Sequence, residues 1–146
     1  MPKLITAVLM AGLASASFFA LTQQPTPTIK TVPIKPTSPA SGQQMYANYC
    51  ASCHGSDGAG NGPAAAAMKT QPTNLTMLSK KNGGTFPADH IRTILAFGVE
   101  NPAHGSVEMP VWGDLLLTLH GSGPNNTMVV HQRIVNLTQY LKQMQQ

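Results

Sequence analysis

Cys50-Ala51-Ser52-Cys53-His54 sets the terms for every other reading of this sequence. Two cysteines three apart, with a histidine directly after the second, form the pattern at which a c-type haem is attached. On a short helical turn both thiols face one way, each able to form a thioether to a porphyrin vinyl carbon, and His54 projects its imidazole onto one face of the iron. These are the only two cysteines in 146 residues, so the competing readings are few. A thioredoxin-like redox pair needs a βαβ context, whereas Gly42 to Tyr49 reads as helical with no buried strand before it. A structural zinc site wants four ligands, and there is no second cysteine pair. A disulfide between Cys50 and Cys53 would close a very small loop, stabilise little and leave His54 unexplained. Haem c, covalently attached, uses all three residues.

A length of 146 residues fits one domain, and 10% charged residues with 12 prolines and 13 glycines make it compact and loop-rich. A domain this small buries little surface of its own, so a large apolar disc at its centre would supply core that side chains otherwise must. Residues 1–22 carry a lone Lys3 and then an apolar run from Leu4 to Leu21, which reads as an export signal. Ala14-Ser15-Ala16 would serve as a cleavage site, yet the uncleaved run of 18 residues is just long enough to span a bilayer as an anchor. Residues 23–40 hold Pro25, Pro27, Pro33, Pro36 and Pro39 among threonines and read as a linker that does not pack a core. Extended as polyproline II, it would reach on the order of 50 Å, which favours a tethered domain.

The formal charge of +4 comes largely from that leader and linker, because residues 41–146 carry six basic and five acidic side chains. Lys69, Lys80, Lys81 and Lys142 are scattered rather than striped, so nucleic acid is not an expected partner. The glycine-rich stretch Gly55 to Gly62 lacks the Gly-Lys-Ser/Thr ending of a phosphate cradle. A calcium loop starting at Asp57 fails as well, since its twelfth position is Met68.

The domain at residues 41–146 reads as all-α. Ser41 can cap a first helix running to Tyr49 and delivering Cys50. Pro63 to Lys69 is alanine-rich and predicted helical, and Asn82-Gly83-Gly84 is a turn. Ile91, Ile94 and Leu95, with Asp89 before them and Gly98 after, predict a helix over Pro87 to Phe97. Val130, Ile134, Leu137 and Leu141 make one apolar stripe on a last helix from about Thr127.

An iron held by His54 needs its opposite ligand identified. A methionine thioether favours ferrous iron and raises the potential, whereas a second histidine lowers it. Met45, Met68, Met128 and Met144 fall in predicted helices, where methionine is usually core filler. Met109 differs: it stands in Glu108-Met109-Pro110-Val111-Trp112-Gly113, where Pro110 holds it extended. His104, on the same loop, has nothing to stiffen it.

At this point the chain resembles the class I c-type cytochromes. Cys-x-x-Cys-His lies near the domain's start, a Met-Pro loop about halfway on and a helix at the end, and Met-Pro-x-Trp-Gly is especially like bacterial monohaem members. The resemblance covers residues 41–146 and implies a small helical domain around one covalent haem. It implies that Cys50 and Cys53 form the thioethers, that His54 and Met109 ligate the iron, and that Pro63 offers its carbonyl to the other N–H of the imidazole. Gly42 and Tyr46 would pack against the last helix at Leu137, Tyr140 and Leu141. Trp112 resembles the aromatic that approaches a haem propionate, and it reads equally well as a core tryptophan.

The expectation is an electron carrier outside a bacterial cytoplasmic membrane, periplasmic or anchored and facing the periplasm, that exchanges electrons with redox partner proteins and has no substrate pocket. The competing expectation is a haem c enzyme or gas sensor with an open iron position. No histidine or arginine pair in the sequence is placed for that chemistry.

Overall fold

The computed structural model describes residues 34–98, 109–119 and 126–146. Among the described residues every regular element is helical. The extended backbone at Ser41 lets its hydroxyl accept the Gln44 amide at 3.1 Å, and α1 (Gly42–Met45) follows. The helix runs past the expected end at Tyr49. It widens into a π-helical turn, Tyr46–Cys50, closed by the Ala51 amide reaching the Tyr46 carbonyl, and returns to α geometry as α2 (Ala51–His54). Such turns gather at functional sites. This one leaves Met45, Tyr46, Tyr49 and Cys50 all buried on one face.

Two 3₁₀ turns, Ala65–Ala67 and Leu75–Met77, and the short α3 (Leu78–Lys81) follow. The expected helix at Pro63 to Lys69 shrinks to the first of these turns. Gly62 and Ala64 donate their amides to the Cys53 and Ser52 carbonyls at 3.0 and 2.9 Å, which caps α2 and leaves too few residues to nucleate a helix. α4 (Ala88–Phe97) forms as its pattern predicts, with Ile91 and Leu95 buried. α5 (Trp112–Thr118) has no counterpart in the sequence reading, because seven residues are too few to show a period. It buries Trp112 and Leu116.

The last helix, α6 (Asn126–Gln143), turns Val130, Ile134, Leu137 and Leu141 inward as predicted. It packs on α1, α4 and α5 and so forms the back wall of the domain. Gly42 makes the α1 crossing close: a Cβ there would strike the Asn136 carbonyl and lie 2.8 Å from the Cβ of Tyr140. The rings of Tyr46 and Tyr140 meet nearby, 5.5 Å between centroids. Met45 is core filler as expected, whereas Met128 is 75% exposed, on the side of α6 away from the stripe.

From Lys35 onward the expected linker is docked on the domain: Thr37 is 8% exposed, Asn136 Nδ2 donates to the Pro39 carbonyl at 2.8 Å, and Ser38 N donates to Gln44 Oε1 at 2.9 Å. Composition does not show this because the segment is held through its backbone amides and carbonyls and one hydroxyl, which an inventory of apolar side chains does not count. The leader at residues 1–22, the rest of the linker, the tract around His104 and the loop after His120 lie outside the described residues. Among the described residues no helix is long and apolar enough to cross a membrane.

Candidate functional site

The helix that starts at Ser41 carries Cys50, Cys53 and His54 to one edge of the core. Both cysteines are free thiols in the structure. Cys50 is 9% exposed, and burial, with Cys53 close by, pushes its thiol up to about 12, so it is neutral at pH 7. Adding its S–H across a vinyl double bond would turn this neutral thiol into a neutral thioether, with no charge left to desolvate.

His54 is half-buried, and its Nδ1 lies 2.9 Å from the carbonyl oxygen of Thr73. A carbonyl can only accept, so Nδ1 carries the proton and the Nε2 lone pair is left to bind a metal. Burial also lowers the imidazole's pKa from its ordinary value, only partly offset by the bond to Thr73, which keeps the ring in the neutral form that ligation requires. The Tyr46 hydroxyl donates to the Gly55 carbonyl at 2.6 Å and so ties down the residue after His54.

The carbonyl at Nδ1 is that of Thr73, where the resemblance implied Pro63; Pro63 itself is exposed, between two residues whose amides cap α2. Thr73 is there instead because its loop is fixed on several sides. Leu75 N donates to the Gly58 carbonyl at 2.7 Å, and Asn74 Oδ1 accepts the Thr76 amide at 2.9 Å. Gln145 then bridges Leu75 O and Ser79 N, each at 2.8 Å. Gly60 lets this loop come close: at φ 85° it adopts a backbone that L side chains avoid, and a Cβ would strike the Pro72 carbonyl. A backbone acceptor has no side-chain signature, so Thr73 was not visible in the sequence. The nearest signal was Asn74 two residues before Thr76, which marks a capped turn.

Two more of the predicted residues, Trp112 and Met109, belong to the core that holds Cys50. Cys50 and Trp112 share one buried core with Tyr49, Ile91, Leu95 and Leu116, and Met109 packs half-buried against that core. Trp112 is buried and stacks on Tyr49 with centroids 5.6 Å apart at 23°, which fits its reading as a core tryptophan. His104 lies outside the described residues.

The donor set suits a covalently held haem: two free thiols on one helix, an imidazole with one nitrogen pinned and the other available, and an apolar wall with a thioether at its rim. When bound, that group supplies one-electron chemistry at its iron. The two thiols would attach it, and the Thr73 carbonyl orients the imidazole that would bind its iron. No curated protein matches the chain. The family described as cytochrome c oxidase, cbb3-type, subunit III matches residues 37–118, from the docked strap at Thr37 to the end of α5. With more than half of the 146 residues matched and the attachment motif inside the match, the chain belongs to that family and is a c-type cytochrome that carries haem c covalently for electron transfer.

Proposed function

We propose that this protein is a single-electron carrier with one haem c, ligated by His54 and Met109, working outside a bacterial cytoplasmic membrane. The observation that carries the reading is the pairing of His54 Nδ1 with Thr73, which leaves Nε2 as the ligating nitrogen, taken with the half-buried place of Met109 on the same core. A methionine opposite histidine gives a high-potential carrier rather than an iron open to substrate. It is not an enzyme in its own right. The family description points to an oxidase as the kind of complex it serves, as a subunit or as a partner of one. The apolar run at residues 4–21 would export it and hold it at the membrane, with residues 23–34 as a spacer.

Anaerobic reductive titration of the purified full-length chain tests this. The expected result is one haem and one electron per chain with a Nernstian slope for a single electron. Turnover of peroxide, or stoichiometric carbon monoxide binding by the ferrous wild type, would replace the carrier by a protein with an open iron position.

A further inference from the structure

Arg133 of α6 is a charged side chain with 0% exposure, set in the core rather than at the surface. Its Nη1 donates to Thr37 Oγ1 at 3.0 Å and its Nη2 to the Thr37 carbonyl at 2.6 Å. The Thr37 hydroxyl donates to the Tyr49 hydroxyl at 2.9 Å, which donates in turn to the Lys35 carbonyl at 2.8 Å. A guanidinium can only donate and the Lys35 carbonyl can only accept, so the direction of the whole series is fixed, and each hydroxyl both accepts and donates. The Tyr49 ring that ends the series stacks on Trp112. Tyr49 also precedes Cys50, and Trp112 stands three residues after Met109. One ring therefore joins the docked strap to the attachment helix on one side and to the Met109 segment on the other.

Hydrophobicity alone does not account for this. Burying a guanidinium and two hydroxyls is costly, and apolar residues at the same places would hold α6 against the strap at least as well. What the polar series adds is orientation, since a phenol tied at its hydroxyl cannot swing or slide beneath the indole stacked on it. We propose that the strap at residues 35–39, gripped by Arg133, positions the Met109 segment: Thr37 and Tyr49 are positioning residues that hold Trp112, and through it Met109, at the iron. This rests on the reading of Met109 as a ligand.

The test uses full-length ferric holoprotein and follows the rate of cyanide binding, which requires the methionine to leave the iron, together with the far-red sulfur-to-iron band and stability to denaturant. Tyr49→Phe keeps the ring and loses the relay, and Thr37→Val loses the hydroxyl. Each should bind cyanide about fivefold faster, the factor that one lost buried hydrogen bond corresponds to. Thr37→Ser restores the hydroxyl and should return the rate to that of the wild type. Thr138→Val removes another buried hydroxyl from α6, one bonded to the Ile134 carbonyl at 2.7 Å, and should lower stability while leaving the cyanide rate alone. Wild-type rates in both Tyr49→Phe and Thr37→Val overturn the proposal, and so does a Thr138→Val rate as fast as theirs. If Thr37→Val does not accumulate, Tyr49→Phe decides alone. Met109→Ala is measured in parallel: an unchanged band and cyanide rate there refute the ligand assignment itself, independently of the strap variants.

Discussion

Nδ1 of His54 and the carbonyl oxygen of Thr73, nineteen residues apart in the chain, lie 2.9 Å from each other. That contact fixes the tautomer and the rotation of the ring, and it makes the imidazole a stronger electron donor to a bound metal. It depends on how closely residues 72 and 73 approach Gly60.

Gly60→Ala should therefore disturb the iron as well as the fold. The alanine would sit in a left-handed backbone, which costs about 1–3 kcal/mol, and its Cβ would push the Pro72 carbonyl away. The expected outcome is a lower melting temperature and a higher reduction potential, because a less basic imidazole stabilises ferric iron less. Thermal unfolding and a redox titration of the same preparation check both.

Attachment is tested by mass. The wild-type chain from a haem-attaching host should carry the mass of one haem, Cys50→Ala and Cys53→Ala should retain a single thioether or lose the group, and His54→Ala should lack a proximal ligand. Haem staining after denaturing electrophoresis separates covalent from dissociable haem. A normally folded wild type without added mass would refute the attachment.

The crossing of α1 and α6 gives a prediction confined to stability. Gly42→Ala forces a methyl group against the Asn136 carbonyl and the Cβ of Tyr140, an overpacking expected to cost about 1–3 kcal/mol in denaturant unfolding. The far-red band and the potential should stay as in the wild type, because Gly42 lies two helical turns before Cys50.

How far these features were legible follows from the physics that carries each one. The apolar stripe of Val130, Ile134, Leu137 and Leu141 and the cap at Ser41 are local patterns, and the structure matches them closely. The attachment motif was equally plain, since it is a spacing of chemically distinctive residues. Thr73 was hidden because a backbone carbonyl looks the same in every residue, and the resemblance pointed to Pro63 instead. The strap at Lys35 to Pro39 looks like linker in the sequence because its partners, Tyr49, Arg133 and Asn136, are distant in the chain and polar. α5 is too short to announce itself by periodicity.

The leader offers a prediction that does not depend on the fold. Residues 4–21 should keep most of the protein in the membrane fraction, from which detergent and not salt releases it. N-terminal sequencing decides the point: a soluble form beginning at Ser17 or Gln23 would show cleavage and contradict the tether.

The central claim is that His54 and Met109 hold the iron of a single covalent haem, and the most direct measurement is the optical spectrum of Met109→Ala beside the wild type and His104→Ala. The wild type should show the weak far-red band of a ferric iron bound to a thioether sulfur and, when reduced, should not bind carbon monoxide. Met109→Ala should lose the band, bind carbon monoxide and fall in potential, while His104→Ala should behave as the wild type. A wild type without the band, with carbon monoxide admitted by His104→Ala and not by Met109→Ala, would contradict the account and leave a low-potential iron between two histidines in its place.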